Sequence, residues 1–231
     1  MPPTRRPDPI GVPARVSRTG EIQIWPGNTV VCHLQEGSTL WHGLHIVQDA
    51  LRQLEGPVQK MHLMPPGSWH MTVLDGVNEA DREPGLWPPG KEQQPLDECT
   101  QDFLQRLSQL PPRLKAEGLA PPYMVQVAGI EVHPGGIHLK IECQSEDEEK
   151  RMRRLRDVLA DTIGFRRPTH EAYQWHMGFC YLTKYLDEDE PEVRRVVSGV
   201  EAAVQIKFQL DALEFCKFET LHKFDRLLLL A

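Results

Sequence analysis

The 231-residue sequence has few of the features that are typical of secreted proteins, membrane proteins or proteins that bind long nucleic acids. Its five cysteines are widely scattered and form no Cys-x-x-Cys pair, so we expect reduced thiols and a cytoplasmic location. No apolar run is long enough for a signal peptide or a membrane span, so no membrane partner is expected. Acidic residues outnumber basic ones by 33 to 26, and the net charge of −7 argues against binding to extended nucleic acid.

The spacing of the histidines also gives no metal site. His42 and His45 lie three apart on one predicted helix, a spacing that can bind a metal, but no further ligand stands at a suitable interval. Ordinary helix histidines are the better interpretation. We therefore assign neither a metal nor any other cofactor.

What the chain does have is a repeated five-residue pattern. Residues 69–73 are WHMTV and residues 175–179 are WHMGF. Side chains alternate between the two faces of a β-strand, so His70 shares a face with Thr72, and His176 shares a face with Gly178. Each strand thus offers one imidazole to a common cleft, with a hydroxyl beside it on only one side.

Two such histidines suit the cleavage of a phosphodiester without a metal. One neutral imidazole takes a proton from water while a protonated one gives a proton to the leaving oxygen, both near neutral pH. The Thr72 hydroxyl is suited to donate to a phosphate oxygen. The alternative is that both are structural strand histidines with satisfied hydrogen bonds, but two copies of Trp-His-Met on apolar strands favour function.

At these residues the sequence resembles the 2H phosphoesterase superfamily, which is named for two His-x-Thr/Ser motifs and includes bacterial RNA 2′,5′-ligase/2′,3′-cyclic phosphodiesterase proteins. The segments PGNTVVCHL, SWHMTVLDGVNEADR and AYQWHMGFCYLTKYL are similar to an uncharacterised branch described as RNA ligase or cyclic nucleotide phosphodiesterase. The resemblance implies that His70 and His176 are the catalytic pair and that Thr72 binds phosphate. Gly178 departs from the pattern, because the family has Thr or Ser there, so one phosphate-binding hydroxyl is missing.

The order of the predicted elements indicates an α+β fold. We expect an extended N-terminal arm over residues 1–22 and a single bilobal domain over residues 23–231. Within the domain the order strand, helix, strand occurs twice, with a histidine near the end of each copy. This repeat predicts two pseudo-symmetric lobes with largely antiparallel sheets that face a central cleft, and with helices outside.

Four further residues are candidates near that cleft. Arg82 suits either a second phosphate or an ion pair, and Trp87, in a Pro- and Gly-rich loop, suits either stacking on a nucleobase or packing of its own loop. Lys184 and Cys180 share strand parity with His176. Lys184 suits anion binding or a peripheral position, and for the Cys180 thiol a buried structural role is the better interpretation.

These observations predict a metal-independent phosphodiesterase that hydrolyses 2′,3′-cyclic phosphate or short 2′,5′-linked nucleotide substrates by two-histidine acid/base catalysis. Which histidine is the acid stays open. The expected partner is a small nucleotide or an RNA-terminal phosphate, and the protein is expected to be a monomer. The alternative is a catalytically weak module that binds a nucleotide or a phosphorylated ligand, and Gly178 is its main support.

Overall fold

The computed structural model describes residues 5–231, so the first four residues of the predicted arm lie outside the described part of the chain. The described residues form an α+β fold, which confirms the predicted class. The strands are β1 (Gly27–His33), β2 (Met61–Leu63), β3 (His70–Asn78), β4 (Tyr123–His133), β5 (Gly136–Cys143), β6 (His176–Leu182), β7 (Lys207–Leu210), β8 (Glu214–Thr220) and β9 (Lys223–Leu229). The α-helices are α1 (Thr39–Arg52), α2 (Leu96–Leu107), α3 (Pro111–Ala116), α4 (Glu146–Ile163) and α5 (Glu190–Val200).

The strands form two antiparallel sheets, one for each lobe. The four-stranded sheet has the order β3-β1-β8-β9, and the five-stranded sheet has the order β2-β6-β5-β4-β7. The two sheets approach each other at β3 and β6, the strands that begin with the two motif histidines. The fold therefore brings the two copies of the repeated pattern together.

Two of the helices, α1 and α4, have starts that are fixed by a serine cap. The Ser38 hydroxyl accepts from the backbone N–H of Trp41 at the start of α1, and the Ser145 hydroxyl accepts from that of Glu148 at the start of α4. Helix α4 ends at Gly164, which adopts the left-handed conformation with a φ of 72°. The apolar faces of both helices are buried in the core, as their sequence spacing predicts.

The N-terminal arm is packed on the body rather than extended. Val12 and Val16 are buried, and Val16 forms an isolated antiparallel bridge with Ile22. Two apolar side chains removed from water give the arm a fixed path across the protein. Within residues 5–231, no helix has both the length and the apolar character needed to cross a membrane.

Candidate active site

His70 is the first residue of β3, and a hydrogen bond to the preceding turn fixes its ring. Its Nδ1 lies 2.7 Å from the carbonyl oxygen of Ser68, and because a carbonyl only accepts, Nδ1 carries the proton and donates. The ring packs on Phe224, with centroids 4.2 Å apart. Burial lowers the pKa of His70 to about 4. At pH 7 the imidazole is therefore neutral, and its unprotonated nitrogen is Nε2.

His176 is the first residue of β6 and is held in the same way. Its Nδ1 donates to the carbonyl oxygen of Gln174 at 2.9 Å, again two residues back along the chain. This hydrogen bond is exposed to solvent, whereas that of His70 is partly buried. The two histidines therefore occupy equivalent positions in the two lobes, but in different environments.

Both histidines line one cavity between the lobes. This cavity has a volume of about 170 Å³ and is also lined by Thr72. An adjoining cavity of about 90 Å³ is lined by the same three residues and by Gly178. The Thr72 carbonyl accepts from the Tyr173 hydroxyl, but the Thr72 hydroxyl has no hydrogen-bond partner within residues 5–231. A larger cavity of about 640 Å³ opens beside His176 and does not reach His70.

Gly178 leaves open space where the family pattern has a hydroxyl. A Cβ placed on Gly178 would have no non-neighbouring heavy atom within 4 Å. By contrast, a Cβ on Gly136 of the adjacent strand β5 would lie 2.2 Å from the carbonyl oxygen of Cys180. The glycine at 178 is therefore not required by a close approach of the protein's own backbone.

Each histidine strand has a β-bulge that turns a third side chain toward the cleft. The register of β3 against β1 and the register of β6 against β5 both shift by one residue, across residues 72–74 and 178–180. A bulge reverses the alternation of faces beyond it. Asp75 and Tyr181 consequently line the cavity with the histidines. In both lobes the residues that face the cleft are the histidine and the residues two and five positions after it.

Strand parity predicts that Cys180 faces the cleft, and this prediction is wrong because of the bulge in β6. Cys180 is only 3% exposed, and burial raises the pKa of its thiol to about 12, so it offers no reactive thiolate. Tyr181 lies on the cleft side instead, and its hydroxyl has no hydrogen-bond partner in the described part of the chain. Sequence reasoning missed Tyr181 and Asp75 because simple alternation places both on the wrong face.

Tyr173 and Arg156 donate hydrogen bonds to two carbonyls of β3, which is an edge strand of its sheet. The Tyr173 hydroxyl donates to the carbonyl of Thr72 at 3.1 Å, and the guanidinium of Arg156 donates to the carbonyl of Val73. Arg156 is almost fully buried and stacks on the Tyr173 ring at 4.0 Å. The segment before His176 is thus tied to the strand that bears His70, which fixes the separation of the two imidazoles.

Two arginines that the sequence did not single out also line the cavity of about 170 Å³. They are Arg15, from the N-terminal arm, and Arg167, from the loop before β6. Arg167 donates through Nε and Nη2 to the carbonyl of Gly76, at 3.1 and 2.9 Å. The carboxylate in this cavity is that of Asp75. The cleft therefore has a cationic surplus in a protein whose net charge is −7.

Three candidates from the sequence lie away from this cavity. Trp87 is fully buried, and its Nε1 donates to the carbonyl of Asn78 at 3.0 Å, so it packs its own loop and is not accessible to a base. Arg82 stacks on the Trp87 ring at 3.7 Å and pairs with Glu79, which makes it part of the same loop. Lys184 is exposed and lines neither cavity that holds both histidines.

Two groups of side chains within residues 5–231 place three metal-binding donor atoms within 4.8 Å of one another. They are His33 with Glu214 and Cys216, and Asp157 with His170 and Glu171. In the first group, Nδ1 of His33 lies within hydrogen-bonding distance of the Glu214 carboxylate, at 3.1 Å. Neither group contributes a residue to the cavity that holds both histidines.

Comparison with known families agrees with the motif. Residues 15–129 match the 2H-phosphodiest family model, which is described as a domain of unknown function, DUF1868. The predicted resemblance to the 2H phosphoesterases is confirmed. The matched segment contains His70 and Thr72 and ends before His176. No curated protein matches the sequence.

Solved structures resemble this chain to different degrees. A conserved protein of unknown function from Agrobacterium tumefaciens strain C58 has a TM-score of 0.83 and 26% identity, covering 98% of this chain and 95% of that one. TT0787 of Thermus thermophilus has a TM-score of 0.47 and 14% identity, over 87% and 97%. Usb1 of Kluyveromyces marxianus, solved with uridine monophosphate, has a TM-score of 0.42 and 12% identity, over 86% and 94%. The first likeness covers both lobes and hence both histidine strands.

Proposed function

We propose that this protein is a metal-independent phosphodiesterase that hydrolyses 2′,3′-cyclic phosphates or short 2′,5′-linked nucleotides. The observation that carries the proposal is the matched pair of imidazoles. His70 and His176 begin equivalent strands, each donates through Nδ1 to a carbonyl two residues back, and both line one cavity. Each ring therefore keeps Nε2 free of that hydrogen bond and available to a phosphodiester in the cleft.

His70 suits the role of general base. Its lowered pKa of about 4 keeps it neutral at pH 7, and because Nδ1 holds the proton, Nε2 is the nitrogen that accepts one. The charge of a protonated His176 is one of the causes that lower the pKa of His70. A proton on His176 therefore helps to keep His70 in the basic form.

The proposed reaction transfers one proton at each histidine. His70 takes a proton from water as the water oxygen bonds to phosphorus, and His176 gives a proton to the oxygen whose bond to phosphorus breaks. For a 2′,3′-cyclic phosphate with the 3′ oxygen leaving, the product is a 2′-phosphate. The Thr72 and Tyr181 hydroxyls are the donors available for the charge that builds up on the phosphoryl oxygens, and one well-placed donor is typically worth about 3 kcal/mol.

The dimensions and lining of the cleft favour a small substrate. A volume of about 170 Å³ is below the range of roughly 300 to 1,000 Å³ that is usual for sites that enclose a drug-sized ligand. One wall is apolar and consists of Trp25, Phe218 and Phe224. Such a wall suits the sugar or base of a nucleotide better than a phosphate-rich strand.

A catalytically weak binding module is the alternative function, and Gly178 is the observation that favours it. With open space at Gly178, the second family hydroxyl is absent, while the cationic cleft and the Thr72 donor are kept. Such a protein would hold a phosphorylated ligand with little turnover. Affinity without hydrolysis distinguishes it from the enzyme.

The test is hydrolysis of a panel of cyclic-phosphate and 2′,5′-linked nucleotides, with EDTA present. His70→Ala and His176→Ala should each lower the rate by about 10²-fold or more, the usual contribution of a general acid or base. His42→Ala is the matched control, because His42 is an exposed histidine on α1. Rates for both cleft variants within about threefold of the parent, on a substrate that the parent turns over, would refute the two-histidine mechanism.

A further inference from the structure

The N-terminal arm is attached to the protein on both sides of Arg15. The Tyr185 hydroxyl donates to the carbonyl of Asp8 at 2.9 Å, and Nδ1 of His62 donates to the carbonyl of Gly20 at 2.8 Å. The two anchoring residues lie after β6 and on β2, respectively, so both belong to the five-stranded lobe. The arm segment between these anchors therefore has a fixed course beside the cleft.

Arg15 differs from Arg5 and Arg18, two other arginines of the arm, in the partner of its guanidinium. Arg5 and Arg18 are paired with Asp187 and Asp8. Arg15 has no carboxylate partner within residues 5–231, its guanidinium stacks on the Trp25 ring at 4.0 Å, and it lines the cavity that holds both histidines. Its position is set by stacking, which leaves its N–H groups available to a ligand.

A series of aromatic rings separates Arg15 from His70. Trp25 stacks on Phe218 at 5.7 Å, Phe218 contacts Phe224 at 5.0 Å, and Phe224 contacts His70 at 4.2 Å. The imidazoles and Thr72 are placed for the reacting phosphate at one end of this wall. The Arg15 guanidinium stacks on Trp25, at the other end of this series of ring contacts.

We propose that Arg15 binds a second phosphate of the substrate, apart from the phosphodiester that is cleaved. The substrate class is then a nucleoside 2′,3′-cyclic phosphate that also carries a 5′-phosphate, with the nucleoside lying along the aromatic wall. A guanidinium is the side chain best matched to phosphate, because its planar N–H groups can donate in pairs. Arg167 lines the same cavity and adds to the cationic surplus that attracts a ligand with two phosphate groups. This inference rests on the proposed function.

The test compares adenosine 2′,3′-cyclic phosphate with its 5′-phosphorylated form, in the parent and in variants of the full chain. The parent should prefer the 5′-phosphorylated form by about tenfold in kcat/KM, as a charge-assisted hydrogen bond allows. Arg15→Gln should reduce this preference to within about twofold of equality. Arg15→Met, which keeps an apolar stem against Trp25, should do the same and guards against a local packing defect.

Arg6→Gln is the matched control, because it removes the same charge from an exposed position of the same arm. It should retain the parent's preference. Equal kcat/KM values for the two substrates in the parent, or an unchanged preference in both Arg15 variants, would overturn the inference.

The role of Arg15 can also be tested by binding, without any hydrolysis. If the parent hydrolyses neither nucleotide, calorimetric titration with adenosine 2′-phosphate and adenosine 2′,5′-bisphosphate measures the second phosphate directly. Tighter binding of the bisphosphate that is lost in Arg15→Gln supports the inference without catalysis. Equal affinities in the parent overturn it.

Discussion

Restoring the missing hydroxyl at Gly178 is the change that most directly tests the proposed role of the cleft. Gly178→Ser adds a hydroxymethyl group on the face shared with His176, next to the cavity of about 90 Å³ that both histidines line. No non-neighbouring heavy atom lies within 4 Å of the new Cβ, so the substitution needs no movement of the protein. Loss of a strand glycine should also stabilise the fold slightly, by up to about 1 kcal/mol.

The expected gain follows from the value of one donor. If the introduced serine hydroxyl reaches a phosphoryl oxygen in the transition state, it should raise kcat/KM by up to about 10²-fold, the usual effect of one oxyanion donor. The Tyr181 hydroxyl lines the same cavity and limits the gain if it already serves that oxygen. We therefore expect an increase between about tenfold and 10²-fold on a cyclic phosphate.

The assay measures kcat/KM and the thermal midpoint for the parent, Gly178→Ser and Gly178→Ala. The alanine variant is the control, because it adds the Cβ without the hydroxyl and should leave the rate near that of the parent. A folded Gly178→Ser protein with unchanged kinetics on every substrate would show that position 178 does not face the reacting phosphate. Loss of activity in both variants would mean that substrate occupies the space, and the reasoning from a missing donor would be refuted.

Four further predictions concern Tyr181 and His70 in the cleft and Trp87 outside it. Tyr181→Phe should lower kcat/KM by about tenfold, and Gly178→Ser in that background should restore part of the loss. Additive effects of the two changes would refute the idea that both hydroxyls serve the same phosphoryl oxygen. The depressed pKa of His70 predicts that kcat/KM is kept as pH falls and is lost only near pH 4, where the base becomes protonated; a loss near pH 6.5 in the pH–rate profile contradicts this. In the unfolded chain His70 binds this proton already near pH 6.5, so protonation favours the unfolded state. The free energy of unfolding should therefore fall by at most about 3 kcal/mol between pH 6.5 and pH 4. Denaturant titrations of His70→Gln should not show this loss. Trp87→Ala should destabilise the fold by about 3 to 5 kcal/mol in the same titrations, because Trp87 is fully buried, and KM should stay unchanged. A raised KM without destabilisation would show that Trp87 contacts the substrate.

Local signals along the chain are enough to predict the helices and the two histidine strands. The serine caps and the apolar spacing of α1 and α4 involve residues close together in the sequence, so both helices follow from it. The repeat of Trp-His-Met on apolar segments predicts that His70 and His176 lie on two strands, and the structure has each at the start of its strand. Such features depend on neighbours within a few residues, which is the range over which propensity and alternation apply.

The other side chains that reach the cleft are set by tertiary contacts. The bulges in β3 and β6 form against partner strands, and they turn Asp75 and Tyr181 inward where alternation predicts the opposite face. Arg15 reaches the cleft because residues distant in the sequence anchor the arm. Trp87 is inaccessible to a substrate because its loop folds onto the body. Each of these positions is set by contacts between residues far apart in the chain, and no local pattern records such contacts.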